Sequence, residues 1–237
     1  MTKRRMAILI LILAPCTASI GSADMFTLAS VEGTWTNVIG GGATVEFLNN
    51  QPVLYGNGLE DQVHWGTPKN AGNKSGLGFT GVVPPPMPFD AGDPFQIGQL
   101  RHFNYVVYAP VATALDLKIN LNFSDPAGLS GDFVFTMNVD ETPNSPINMP
   151  DYIYFPKIFS PETLVVGGNS YTLEILGFGN TPSNLMSKFK SPEEATNATL
   201  LWGRMTPTGP VVPAPSAAVL ALIGMSMVGW LGRRRMP

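Results

Sequence analysis

Residues 115–123 read LDLKINLNF, and this stretch decides the fold class. Every second residue from Leu115 to Phe123 is apolar, while the residues between them are charged or amides. A period of two is typical of a β-strand with one face in the core and the other in water. Residues 124–128 (SDPAG) then predict a turn, and the alternating run 133–139 (FVFTMNV) predicts an antiparallel partner strand.

Similar short apolar runs lie on both sides of this pair. A hairpin is predicted at 167–170 (GGNS), between 163–166 and 171–176, because glycine supplies the positive φ that tight turns need. The other predicted strands are 33–39, 44–48, 76–82, 100–108, 151–155 and 200–205.

Helical turns are expected only at 182–190 and 192–196. The chain holds 25 Gly and 22 Pro, which disfavour long helices. About nine or ten strands favour an all-β, jelly-roll-like β-sandwich as the fold of a single domain over residues 24–210.

The charge of this domain excludes some partners. All 17 acidic residues of the chain lie in it, with only 8 of the 14 basic ones, so its net charge is −9. Nucleic acids and anionic lipids are bound through basic surfaces, so neither is expected as a partner of the domain.

The N-terminal end predicts export. Three basic residues at 3–5 precede an apolar run at 6–14 and then small residues, which is the order of a secretory signal peptide. We predict a signal peptide over residues 1–23, with cleavage by signal peptidase after Ala23. The apolar run is too short to span a bilayer.

The C-terminal end, residues 211–237, combines three features. A proline motif comes first: Val212, Pro213, Ala214 and Pro215. The uncharged run 217–231 (AAVLALIGMSMVGWL) follows, and as a single transmembrane helix it would be only about 22 Å long. A basic cluster ends the chain: Arg233, Arg234 and Arg235. The positive-inside rule places these arginines on the cytoplasmic side.

This tail resembles the PEP-CTERM sorting signal of bacterial exosortase substrates, which has a Val-Pro-Glu-Pro motif, a short transmembrane helix and a basic cluster. Ala214 stands where that family usually has Glu. The resemblance implies exosortase as a partner, cleavage near the proline motif, transient membrane anchoring, and a Gram-negative bacterium that makes exopolysaccharide.

Phrases in the domain are similar to the THxN and choice-of-anchor families of exosortase-sorted proteins. They are 33–38 (GTWTNV), 64–68 (HWGTP), 75–79 (SGLGF), 100–104 (LRHFN) and 121–125 (LNFSD). Arg101 replaces the Thr that names the THxN motif. These families are defined by architecture and sorting, so the resemblance implies no reaction.

Catalytic and zinc motifs are absent from the sequence. The only histidines are His64 and His102, and there is neither an HExxH nor a GxSxG pattern. We therefore expect both histidines to be hydrogen-bonded structural residues at strand ends.

Paired carboxylates are the other candidates for chemistry: Glu60 with Asp61, Asp90 with Asp93, Asp140 with Glu141, and Glu193 with Glu194. Such pairs can act as acid and base in glycoside hydrolysis, but we expect them to be solvated loop acids. A Ca²⁺ site at Asp90 and Asp93 is a further possibility, since calcium binds carboxylate and carbonyl oxygens in flexible turns.

These observations predict a cell-surface or extracellular matrix protein, without catalysis, that is processed by exosortase and associated with exopolysaccharide or biofilm. Two alternatives stay open: a secreted glycan-acting enzyme on a sandwich scaffold, and a calcium-dependent adhesin.

Overall fold

The computed structural model of the protein describes residues 24–53, 59–69, 72–82, 87–142 and 149–210. Nearly all of them are strand or turn, with one 3-10 helix at Gly42–Thr44. In chain order the strands are β1 (Met25–Gly40), β2 (Glu46–Pro52), β3 (Leu59–Trp65), β4 (Thr67–Pro68), β5 (Ser75–Gly81), β6 (Met87–Asp90), β7 (Phe95–Asn104), β8 (Val107–Tyr108), β9 (Ala112–Asp125), β10 (Ser130–Asp140), β11 (Asp151–Tyr154), β12 (Leu164–Val166), β13 (Asn169–Phe178), β14 (Lys188–Ser191) and β15 (Ala195–Pro210).

Two large antiparallel sheets and one small ribbon contain these strands. The first sheet has the order β14-β11-β10-β9-β1-β6, the second has the order β12-β13-β15-β7-β5-β3-β2, and β4 pairs with β8. The predicted all-β sandwich is confirmed at this level.

The alternating stretch that opened the sequence analysis forms the centre of the first sheet. Leu115, Leu117, Ile119 and Leu121 of β9 are fully buried. β10 pairs with β9 in antiparallel register, with Phe135 opposite Leu117. The predicted pair of strands is therefore confirmed, together with the face that each one buries.

The two sheets approach each other closely where β1 crosses β5 and β3. A Cβ on Gly33 would lie 2.1 Å from a ring carbon of Phe79, so only glycine allows this approach. Beside it, the Trp35 indole nitrogen donates to the Asp61 carbonyl at 2.8 Å. One continuous core of aromatic and aliphatic side chains joins the two sheets.

The predicted hairpin is confirmed as β12 and β13, with Gly167 and Gly168 at positive φ. The six further predicted strands overlap β1, β2, β5, β7 with β8, β11 and β15, and the predicted 44–48 begins in the 3-10 helix. The helical turns predicted at 182–190 and 192–196 are wrong, because these residues include β14 and the start of β15. The predicted strands do not include β3, β4, β6 or β14.

The predicted signal peptide 1–23 and the predicted sorting tail 211–237 lie outside the described residues. They include Ala23, the proline motif and the arginine cluster. Among the residues that are described, no helix is long and apolar enough to cross a membrane.

Candidate functional site

Three ionisable side chains from both sheets meet between them at one end of the sandwich. His102 lies in β7 of the second sheet. Glu141 directly follows the last residue of β10, and Asp151 is the first residue of β11, so both belong to the first sheet. β10 and β11 are antiparallel neighbours with Asp140 opposite Tyr152, which brings the two carboxylates together.

The potential ligand atoms of this cluster converge. One atom of each residue, a ring nitrogen of His102 and a carboxylate oxygen of Glu141 and Asp151, lies within 4.8 Å of the other two. His102 and Asp151 are fully buried, and Glu141 is partly buried.

Neighbouring donors hold the two carboxylates in place. The Trp65 indole nitrogen donates to Glu141 Oε1 at 2.8 Å. The amide and the hydroxyl of Thr142 both donate to Asp151 Oδ1, at 2.7 and 3.0 Å. No donor among the described residues reaches Asp151 Oδ2.

His102 is unlike the structural histidine that the sequence analysis expected. It lies within β7 rather than at its end, and neither ring nitrogen has a hydrogen-bond partner among the described residues. Burial lowers the pKa of His102 to about 3, so the imidazole is neutral at physiological pH. Its ring stacks against Trp65 with centroids 6.5 Å apart.

The acids of this region are poorly compensated. Burial, and then the charge of Asp151, raise the pKa of Glu141 to about 7, although hydrogen bonds from Trp65 and Ser75 oppose the shift. Burial also raises the pKa of Asp151. Burial and the charge of Asp151 raise the pKa of Glu193 to about 7. Among the described residues, no Lys or Arg forms an ion pair with Glu141 or Asp151.

Two buried carboxyl groups this close cannot both stay ionised at low cost. A proton shared by Glu141 and Asp151 would relieve the repulsion, and so would a cation bound between them and neutral His102. The cluster, which we call the inner cluster, can therefore hold either a proton or a metal ion.

A second buried polar group lies on the outer face of the same sheet. Arg101 donates two hydrogen bonds to the carboxylate of Glu60, and Gln62 donates a third at 2.6 Å. Glu60 is fully buried and Arg101 is 8 % exposed. We call these residues the outer pair; their charges cancel within the protein.

The expectation that paired carboxylates are solvated loop acids is thus wrong for Glu60 and Glu141, which are buried to different extents. Their partners are also not their sequence neighbours: Glu60 pairs with Arg101, and Glu141 faces Asp151 across a β-hairpin. In the sequence, the adjacent acids Asp140 and Glu141 are the one signal for the inner cluster. Nothing in the sequence connects Asp151 or His102 with them.

Asp90 and Asp93, the predicted calcium ligands, lie at an exposed turn. Asp90 ends β6, and the amide of Asp93 donates to the Asp90 carbonyl at 2.9 Å. The one group of three or more potential metal ligands among the described residues is the inner cluster, which does not include them. The calcium site stays a prediction.

One groove bears on the glycan-acting alternative. It has a volume of about 330 Å³ and lies where β1 meets β3 and β5. Glu32 and Asp61 line it, and the Asp61 carboxylate accepts a hydrogen bond from the backbone N–H of Asn50 at 2.8 Å. Among the described residues that line it, Phe79 is the one aromatic residue and it is buried, so none of these residues offers an exposed ring for stacking on a sugar.

Neither the protein-family models nor the curated proteins give a match to this chain.

Proposed function

We propose that the protein is an exported, non-catalytic cell-surface or extracellular matrix protein that exosortase processes and that associates with exopolysaccharide. The observation that carries this proposal is the tail: the proline motif at 212–215, the uncharged run at 217–231 and the arginines at 233–235 occur in the order of a sorting signal.

The residue that follows the proposed signal peptidase site is held by the sandwich. Within the described residues the first strand begins at Met25, one residue after Asp24. The carboxylate of Asp24 accepts hydrogen bonds from Tyr171 and Asn169, so the residue that would become the mature N-terminus is packed against β13.

The finer description as a jelly-roll-like sandwich also belongs to this proposal. Its support is that strands distant in sequence are neighbours in both sheets, such as β1 with β9 and β7 with β15. An acidic sandwich without a thiol in its body suits a hydrated matrix outside the cell, because it gains solubility from its charge and needs no redox protection.

Processing of the full chain in a bacterium that has exosortase provides the test. Intact-mass measurement of the surface fraction should give a product that lacks residues 1–23 and the segment after the proline motif. Deleting the exosortase gene should leave an uncut, membrane-associated precursor. Replacing Pro213 and Pro215 by Ala should have the same effect.

The matched control is Ser216→Ala, a change directly beside the motif, which should be processed like the wild type. Identical cleavage with and without exosortase would refute the sorting role. The processed protein should also co-sediment with the host's own exopolysaccharide. Absence of co-sedimentation would remove the matrix role, and release of reducing sugars would favour the glycan-acting enzyme.

The calcium-dependent adhesin makes a separate prediction. If Asp90 and Asp93 hold Ca²⁺, the thermal midpoint of the purified protein falls when a calcium-specific chelator is added, and Asp93→Asn abolishes that difference.

A further inference from the structure

We propose that His102, Glu141 and Asp151 bind one divalent transition metal ion, for which Zn²⁺ is the best match, between the two sheets. This site is independent of the sorting role, and its test does not require export.

The first observation is convergence. An imidazole nitrogen and two carboxylate oxygens from three separate strand positions lie within 4.8 Å of one another. Tetrahedral zinc keeps nitrogen and oxygen ligands about 3.3 Å apart, so binding would require a contraction of at most about 1.5 Å. Side-chain rotation supplies a movement of this size, because Glu141 lies just beyond the end of its strand.

The second observation concerns unpartnered atoms. His102 is fully buried, yet neither of its ring nitrogens has a hydrogen-bond partner among the described residues. Asp151 is also fully buried, and its Oδ2 receives no donor from them. Buried polar atoms are nearly always bonded, so a group of such atoms facing one another points to a ligand.

The third observation is the arrangement of the surrounding donors. Thr142 occupies Asp151 Oδ1 with two hydrogen bonds and leaves Oδ2 for another partner. Trp65 likewise occupies Glu141 Oε1. Hydrogen bonds of this kind orient the ligating carboxylates of metal sites.

The mixture of donor atoms selects the metal. Imidazole favours zinc and other transition metals, whereas calcium and magnesium prefer sites made of oxygen ligands alone. Three protein ligands leave a fourth tetrahedral position for water or for a further group.

Metal binding to the untagged full chain provides the experiment. The protein is stripped with a chelator, dialysed, and titrated calorimetrically with Zn²⁺, Mn²⁺ or Ca²⁺, and the thermal midpoint is measured in parallel. The wild type should bind about one equivalent of Zn²⁺ and be stabilised by it, because the ion binds only the folded state. Ca²⁺ should produce neither effect.

Isosteric variants locate the site. Glu141→Gln and Asp151→Asn should each weaken Zn²⁺ binding more than about 100-fold. Loss of a residue that only hydrogen-bonds to a metal ligand already costs about 10- to 100-fold, and loss of the ligand itself should cost more. Circular dichroism of the metal-free variants checks that they are folded. Asp90→Asn with Asp93→Asn is the matched acidic control and should bind like the wild type.

The chain has only two histidines, so X-ray absorption at the zinc edge gives a readout that does not depend on carboxylate variants. The spectrum should show one imidazole ligand, which disappears in His102→Gln and remains in His64→Gln. An absence of Zn²⁺ binding, an imidazole signal that follows His64, or wild-type affinity in Glu141→Gln would each overturn the proposal. A cluster that holds only a shared proton would give the first of these results.

Discussion

Arg101 and His102 are consecutive residues of β7, yet their surroundings differ completely. Successive side chains of a strand point to opposite faces, so Arg101 lies on the outer face of the sheet and His102 faces the other sheet. On the outer face, Glu60 meets a guanidinium that cancels its charge. On the inner face, Glu141 and Asp151 meet an imidazole whose pKa is too low for it to become cationic.

This difference shows which of the two buried polar groups contains its own counter-charge. The outer pair contains its own counter-charge and a bidentate geometry, as a purely structural ion pair requires. The inner cluster has two acids and a neutral ring. No Lys or Arg among the described residues forms an ion pair with either acid. A proton or a metal ion would complete it, and for this reason we propose the metal site at the inner cluster and not at the outer pair.

The largest expected effect comes from breaking the outer pair. Arg101→Met leaves the Glu60 carboxylate fully buried without its counter-charge, and such a loss typically destabilises a protein by about 3–5 kcal/mol. Urea denaturation followed by tryptophan fluorescence measures the change.

The double variant Glu60→Gln/Arg101→Met serves as the control for this prediction. Because it removes both charges, it should recover at least half of the lost stability. A loss below about 1 kcal/mol for Arg101→Met alone would mean that solvent screens the outer pair far more than its burial indicates.

The inner cluster should make the stability of the metal-free protein depend on pH. The folded-state pKa of Glu141 is raised to about 7, above the unfolded value, so the folded protein binds the proton more tightly. The stabilisation is complete below the unfolded pKa and is lost as pH rises through about 7; Glu193 contributes with the same sign.

Unfolding free energies in chelator-treated samples between pH 5 and pH 8 test this expectation. They should fall by on the order of 1–3 kcal/mol over that interval. Glu141→Gln should flatten the curve, whereas Glu32→Gln, a change at an exposed acid, should leave its slope intact. A flat wild-type curve would contradict the raised pKa of Glu141.

Removing a single charge should change the free energy of unfolding in opposite directions in the inner cluster and the outer pair. At pH 8 and without metal, Glu141→Gln should stabilise the protein by about 1–2 kcal/mol, because an amide can accept from Trp65 and donate to Asp151. Saturating Zn²⁺ should reverse the order, with the wild type becoming the more stable protein. Thermal denaturation with and without the ion measures both signs, and destabilisation of the metal-free variant would show that the cluster is already compensated.

The sequence predicted the fold better than the site, for a physical reason. In residues 115–123 a single face is buried, so the period of two is visible in the sequence and predicts both the strand and its buried face. β14 shows a related alternation, with Phe189 and Ser191 buried and Lys188 and Lys190 exposed. That alternation covers only four residues beside Pro192, and it was interpreted as a helical turn.

The inner cluster has no comparable local signal. His102 and Glu141 are 39 positions apart in the chain and belong to different sheets, so their proximity depends on how the sheets pack. Asp140 and Glu141 are neighbours in the sequence, but successive side chains of a strand point to opposite faces. The partner of Glu141 is therefore Asp151 and not Asp140. The outer pair was missed for the same reason, since Glu60 and Arg101 come from different strands.

The smallest expected effect comes from an exposed ion pair that shows how little a surface charge contributes. Lys118 Nζ lies 2.7 Å from Asp132 Oδ2, and both side chains are more than 40 % exposed. The hydrogen bonds from Lys118 and Asn120 lower the pKa of Asp132, so the stabilisation is present above the unfolded pKa and is lost as pH falls through the folded one. Lys118→Met should cost less than about 1 kcal/mol at pH 7, and added salt should reduce the difference further. If Lys118→Met destabilised the protein as much as Arg101→Met in urea denaturation, burial would not determine how much an uncompensated charge costs. Burial would then give no reason why the inner cluster needs a proton or a metal ion.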